Sequence, residues 1–179
     1  RYQMVFARVC GSVAAPTAGL HFTKKLLRRM KDKGVELAYV TLHIGPGTFR
    51  PVRADDVRRH KMEAESFSVG REVAEKVGRT RKGKGRVCAV GTTSCRALET
   101  VFGDSGKEKG YCGRTELFIL PGYEFKAVDC LLTNFHLPKS TLFMLVCAFA
   151  GEALIKRAYK EAIGHKYRFY SYGDAMLIV

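Results

Sequence analysis

The sequence predicts an α/β fold, a layered sheet flanked by helices, and three observations carry that reading. Short apolar runs of strand length alternate with stretches of helical periodicity. Three of those runs, at residues 35–44, 86–90 and 127–133, end in polar or Gly-rich turns, and all three are expected in the central sheet. The chain has 179 residues and 46% hydrophobic content, which suits one domain, residues 1–179, with a sizeable core.

The elements follow in order. Residues 2–9 alternate between apolar and polar and are expected to form a strand, and 11–19 are small and turn-rich. Thr23 can cap a helix over 24–33, with Leu26, Leu27 and Met30 on one face and Gly34 as its stop. The nearly continuous apolar run VELAYVTLHI at 35–44 predicts a strand buried on both faces, broken by the GPG at 45–47. A strand is expected near 66–69 and a helix over 72–80, followed by a Gly/Lys-rich loop. RVCAV at 86–90 predicts a short strand running into the turn and helix of GTTSCRALETVF. Residues 103–113 are expected as a loop, and 116–120 and 127–133 as strands around PGYEFK. Ser140 opens a helix to residue 150, a second helix spans 152–163, and AMLIV within 167–179 forms a last strand.

Charge constrains the partner. Lys and Arg number 31 against 17 Asp and Glu, a formal charge of +14, concentrated in KKLLRRMKDK, RADDVRRHK and GRTRKGKGR. Such an excess favours a polyanion, because each neutralised phosphate releases counterions, although solvated helix faces would carry the same residues. No apolar run reaches the roughly 18–20 residues that span a bilayer, so no membrane partner is expected. The six cysteines show no CxxC pair, and Cys10, Cys88, Cys130 and Cys147 sit in apolar runs as buried free thiols do. That points to a reducing, cytoplasmic setting. The chain begins at Arg1 within strand-like sequence, so it is expected to be a piece of a longer protein.

In open α/β sheets, ligands bind where strands end and loops begin. Three segments have that form: VTLH before GPGT, CAV before GTTS, and LLT before NFH. The Gly91, Thr92, Thr93, Ser94 turn at a helix start offers backbone N–H groups, hydroxyls and a positive helix dipole, suited to a carboxylate or phosphate or serving only as a cap. It lacks the Walker A spacing and is not a GxSxG elbow. His43 and His136 each follow an apolar strand, and His21 follows a Gly-rich turn. Histidines so placed can be plain hydrogen-bonding residues or an acid–base constellation. With a carboxylate they could also hold zinc, but their spacing matches no ligand pattern, and no metal is expected. Asp174, between a Gly and an apolar run, could be a cap or a ligand of a ribose or an amine.

Taken together, VAAPTAGLHF, TLHIGPGTFRPV, VGTTSCRALE, the long stretch TELFILPGYEFKAVDCLLTNFHLPKSTLFMLVCAFAG and YRFYSYGDAMLI strongly resemble the S-adenosylmethionine:tRNA ribosyltransferase-isomerase family of queuosine synthesis. The likeness runs nearly end to end and corresponds to the C-terminal half or so of the family's usual length. The family's additional β-barrel-like domain would lie upstream, making this chain part of a two-domain enzyme. The resemblance implies transfer of the ribosyl part of S-adenosylmethionine to the aminomethyl group of a 7-deazaguanine at the tRNA wobble position. Adenine and methionine leave, and the sugar becomes an epoxycyclopentanediol. S-adenosylmethionine enters as substrate, no metal is needed, and a cytoplasmic monomer is expected.

On that reading His136 and His43 are the base and the acid, in an order left open. The turn of Gly91, Thr92, Thr93 and Ser94, with Arg96, takes the methionyl carboxylate. Asp174 or Glu116 holds ribose hydroxyls or the amine, and Thr48, Asn134 and Thr141 orient the site. The basic runs at 24–33 and 78–86 meet tRNA phosphates. Two other readings stay open: a non-catalytic RNA-binding module with structural histidines, and a metal-dependent hydrolase.

Overall fold

Local signals set most element boundaries in the computed structural model, which describes residues 3–45, 60, 62–103 and 110–179. A short 3-10 helix, Thr17–His21, precedes α1 (Lys24–Asp32), whose cap is Thr23: its hydroxyl accepts from the Leu26 amide at 3.1 Å. Gly34 takes a left-handed φ of 81° and its amide closes the helix end onto the Lys31 carbonyl. Then come β1 (Thr41–His43), β2 (Glu65–Val69), α2 (Arg71–Lys82), β3 (Cys88–Val90) and α3 (Thr92–Gly103). The chain continues through β4 (Tyr111–Thr115), β5 (Cys130–Asn134), α4 (Thr141–Ala150), α5 (Glu152–Gly164) and β6 (Ala175–Ile178). Ser140 caps α4 as expected, accepting from the Phe143 amide at 3.1 Å.

The fold is mixed α/β, but its strands form two three-stranded sheets rather than one central sheet. In the first, β2 lies between β1 and β4, both antiparallel to it. In the second, β5 is the middle strand, parallel to β3 and antiparallel to β6. The expectation that 35–44, 86–90 and 127–133 share a sheet is therefore corrected: the last two pair, and β1 belongs to the other sheet. The reason is visible in burial. β5 is deeply buried and has partners on both edges, whereas all three residues of β1 are half-buried and take one edge of β2.

Three further expectations change. Only the end of 35–44 is strand, with an added bridge from Ile44 to Ala14, and Val35 and Tyr39 are exposed. An apolar run without a neighbouring strand has no ladder to satisfy its backbone. Residues 3–9 show a turn, closed by the Ala7 amide on the Met4 carbonyl, and no strand, with Val5 and Val9 exposed; Tyr2 lies outside the described residues. No strand forms at 116–120; β4 instead spans Tyr111–Thr115 and starts inside the loop expected at 103–113. Gly113 masks that strand in the sequence. A Cβ there would come within 2.5 Å of the Tyr111 ring, so the glycine makes room for it.

The core gathers Val69, Ala74, Ala89, Val101, Leu131, Leu145 and Ile155 from both sheets and from α2 to α5. Burying one such aliphatic side chain contributes about 1.5–3 kcal/mol. α3 ties the sheets together through two buried charges. Arg96 Nη1 donates to Glu65 on β2 at 2.6 Å. One turn on, Glu99 accepts the amides of Lys126, Ala127 and Val128 at 2.7, 2.9 and 3.0 Å and the Tyr123 hydroxyl at 3.1 Å. Those amides lead directly into β5, so α3 is fixed to one sheet by its arginine and to the other by its glutamate.

All six cysteines are free thiols, and of the four expected to be buried Cys130 and Cys147 are, while Cys10 and Cys88 are not. Cys10 and Cys88 are exposed, whereas Cys95, Cys130 and Cys147 are buried. Cys88 occupies an outward position of β3, and Cys95 is carried inward by α3, where desolvation raises its pKa. Among the described residues no helix is long and apolar enough to cross a membrane.

Candidate active site

β5 ends at Asn134, and the chain then leaves the core through Phe135 and His136 toward Ser140, the cap of α4. β3 ends at Val90 and turns at Gly91 into α3. Because β3 and β5 run parallel, both exits lie at the same end of the sheet. The Gly91 amide donates to the Leu132 carbonyl at 2.8 Å, joining the two exits. Gly91 has a φ of 91°, a left-handed conformation that suits glycine and lets the chain reverse directly into the helix.

A cavity of about 140 Å³ opens between these exits. Gly91, Thr92 and Thr93 line it from the start of α3, and Ser140 and Leu142 from the start of α4. Thr133, Asn134 and His136 line it from β5 and the segment after it. Two helix N-termini thus open onto one space, and each brings first-turn amides that lack acceptors within the helix and the positive end of a helix dipole. Oxygen anions are the ligands this arrangement stabilises.

His136 is half-buried and held from both sides. Its backbone amide donates to the Tyr159 hydroxyl at 2.9 Å, and its Nε2 lies 2.9 Å from Thr133 Oγ1. Burial pushes its pKa down to about 4, so the ring is neutral at pH 7. A neutral imidazole has one unprotonated ring nitrogen, the form required of a base.

Asn134 is the knot of the site. Its Nδ2 faces the carbonyls of Tyr170 and Gly173 at 3.1 and 3.3 Å and His21 Nε2 at 3.2 Å. Two carbonyls can only accept, so that atom is the amide nitrogen, and Oδ1 accepts from the Thr17 hydroxyl at 3.3 Å. One buried amide therefore ties the 3-10 helix, β5 and the 165–174 loop around the cavity mouth.

The other expected residues separate. Ser94 follows Thr93 on α3 but does not line the cavity. Arg96 points away from it: Nε donates to the Leu117 carbonyl at 2.8 Å and Nη1 to Glu65, and the residue is 2% exposed. Burial lowers its pKa, opposed by the Glu65 charge. The reason is helical geometry, since a residue four beyond Thr92 lies a full turn further down α3. His43 also lies outside the cavity wall, which its neighbour Ile44 forms. Successive strand side chains point to opposite faces, and the His43 ring instead lies about 3.3 Å from where a side chain on Gly11 would begin.

Asp174 lines a second, open recess with His21, His165 and Lys166. Its carboxylate accepts from the Arg168 amide at 2.8 Å and from Nη2 at 2.9 Å, which lowers its pKa. Glu116 is exposed and lines neither space. Thr141 is buried just inside α4, and its hydroxyl has no hydrogen-bond partner among the described residues. Thr48 lies outside the described residues. Among those residues no three His, Cys, Asp or Glu side chains gather as a metal-holding group.

Sequence reasoning missed Thr17, Thr133, Tyr170 and Ser171 as wall residues. Thr133 had a signal: it stands three residues before His136, at a strand end that was already of interest. Tyr170 and Ser171 stood within the quoted YRFYSYGDAMLI stretch, but nothing local placed them at the cavity, because bonds from Asn134 and Phe135, more than 30 residues earlier, carry their loop there.

Comparison with known proteins agrees with this fold. A family model described as queuosine biosynthesis protein matches residues 1–178. The S-adenosylmethionine:tRNA ribosyltransferase-isomerase of Francisella tularensis subsp. tularensis (strain WY96-3418) is 58% identical over 178 residues, 99% of this chain and 52% of that protein. The protein of the same name from Symbiobacterium thermophilum is 59% identical over 179 residues, 100% of this chain and 52% of its own length. The crystal structure of an S-adenosylmethionine tRNA ribosyltransferase from Thermotoga maritima matches with a TM-score of 0.76 and 47% identity, over 91% of this chain and 51% of that one. The chain spans about half the length of the curated relatives it matches.

Proposed function

The chain belongs to the queuosine biosynthesis protein family, and on that premise we propose that it is the α/β portion of a longer S-adenosylmethionine:tRNA ribosyltransferase-isomerase. The enzyme moves the ribosyl part of S-adenosylmethionine to the aminomethyl group of a 7-deazaguanine at the tRNA wobble position. It does so in the cytoplasm, as a monomer, with adenine and methionine as the other products. The observation that carries this reading is the cavity at which two helix N-termini meet a neutral histidine.

The roles follow from the chemistry. The methionyl carboxylate is an oxygen anion and suits the N–H groups at the starts of α3 and α4, with the hydroxyls of Thr92 and Thr93 beside them. The sulfonium acidifies the adjacent C5′ proton, and His136, unprotonated at pH 7, is the base that removes it. Adenine departs more readily when protonated, so an acid assists it. His43 fills that role only if the substrate, or a part of the enzyme outside this chain, brings the acid chemistry to its side of β1. Asn134 and Thr133 hold the cavity wall and the His136 ring in place. Asp174, already paired with Arg168, supports the loop at the mouth. The exposed basic residues of α1 and of the segment after α2 meet tRNA phosphates.

The test is product analysis. The longer enzyme, given S-adenosylmethionine and tRNA bearing the aminomethyl base, should release adenine and methionine as the tRNA gains mass. Adenine no higher than in a control without enzyme would overturn the reading.

A further inference from the structure

Tyr170 stands at the cavity mouth in a conformation that its residue type resists. Its φ is 73°, a left-handed backbone in which a bulky side chain is strained. Three hydrogen bonds hold it there. Its amide donates to the Phe135 carbonyl at 3.0 Å, and its own carbonyl accepts from the Gly173 amide at 3.0 Å and from Asn134 Nδ2 at 3.1 Å. Gly173 fits the same turn, since a Cβ there would overlap the Phe169 carbonyl group. Ordinary packing does not repay this arrangement, because the tyrosine remains 57% exposed. Strained backbone that is over-determined by its surroundings, carrying an exposed ring into a cavity wall, is the pattern of a ligand clamp.

From these features we infer that the Tyr170 ring is a stacking platform for a purine-like nucleobase, held at the cavity mouth by the Asn134 clasp. The inference rests on the proposed transferase reading, which supplies two such rings: the adenine of S-adenosylmethionine and the 7-deazaguanine of tRNA. An exposed aromatic face beside a polar cavity is how proteins hold a base without reading its edges. The surrounding segment suits a nucleotide, since His165, Lys166 and Arg168 interleave with Tyr167, Tyr170 and Tyr172. The clasp fixes the platform relative to His136, because Asn134 and His136 belong to the same strand exit.

The test uses the longer enzyme with Tyr170→Gly and Tyr170→Phe. Glycine is at ease at this φ, so Tyr170→Gly should keep or raise the melting temperature while removing the ring. Its expected loss is about 5- to 100-fold, the range for one base–aromatic stack. A weaker Kd for S-adenosylmethionine in calorimetry assigns the platform to adenine; a raised KM for tRNA with that Kd unchanged assigns it to the tRNA base. Tyr170→Phe should stay within about twofold of wild type in both, since the stacking face is intact. The inference falls if Tyr170→Gly binds and turns over like wild type, if it fails to fold, or if Tyr170→Phe is as impaired as Tyr170→Gly. A wild-type enzyme that releases no adenine but binds S-adenosylmethionine through Tyr170 would remove the transferase reading and leave the platform standing.

Discussion

Thr133 Oγ1 lies 2.9 Å from His136 Nε2, a contact between the last turn of a buried strand and the loop that follows it. The threonine is 1% exposed and cannot rotate away, so it sets the direction of a ring that burial keeps neutral. Thr133→Val keeps the shape and removes the hydroxyl. Turnover should fall by about tenfold as the ring loses its orientation, and stability should drop by about 0.5–1.5 kcal/mol, the worth of one hydrogen bond. Wild-type turnover in this variant would mean that the ring is positioned by other contacts.

The His136 pKa also sets a pH dependence of stability. Its folded value, about 4, lies below the ordinary histidine value near 6.5. Between those values the unfolded chain binds a proton that the folded one refuses, so stability falls as pH drops from about 6.5 towards 4. The contribution is roughly 1–3 kcal/mol. Urea denaturation of wild type and His136→Gln at pH 7 and pH 4.5 isolates it: the loss between the two pH values should be smaller in the variant. Equal losses would show that the imidazole is solvated.

Arg96 and Glu65 make the buried ion pair that fastens α3 to β2. Removing one partner breaks a buried pair, at a cost of about 3–5 kcal/mol. Glu65→Gln and Arg96→Met should each lower the urea midpoint accordingly. The Kd for S-adenosylmethionine in whatever folds should stay close to wild type, because the guanidinium does not line the cavity. A large selective loss of binding with stability intact would return Arg96 to the carboxylate site.

Much of this was legible in the sequence, and what was not has physical causes. The caps Thr23 and Ser140, the helices they open and the strands at 88–90 and 130–134 were readable, because capping hydroxyls and buried runs are local signals. Gly91, Thr92, Thr93, Asn134 and His136 were readable as one candidate group, because strand exits mount polar residues at a sheet end. Sheet membership of β1 was not, since partner choice depends on residues far away in the chain. The inward turn of Arg96 was not readable either, because its partner Glu65 is 31 residues earlier. Glu99 passed unnoticed on a helix whose face looked like any other, although three backbone amides depend on it.

The basic surface gives a salt-dependent outcome. α1 carries five Lys or Arg and has no buried residue, and Lys82 at the end of α2 is exposed along with Lys84 and Arg86 after it. Reversing those last three to Glu should raise the KM for tRNA and reduce the slope of log KM against log salt by roughly 2 to 3. An unchanged slope would show that the segment stays in solvent when tRNA binds.

The most direct test of the account is the turnover of His136→Ala in the longer enzyme, read as adenine released from S-adenosylmethionine in the presence of tRNA. Loss of one acid–base group costs about 10²–10⁴-fold in rate, and a fall of that size is expected here, with the Kd for S-adenosylmethionine within a few-fold of wild type. A folded His136→Ala enzyme that releases adenine at the wild-type rate would contradict the assignment of His136 as the base.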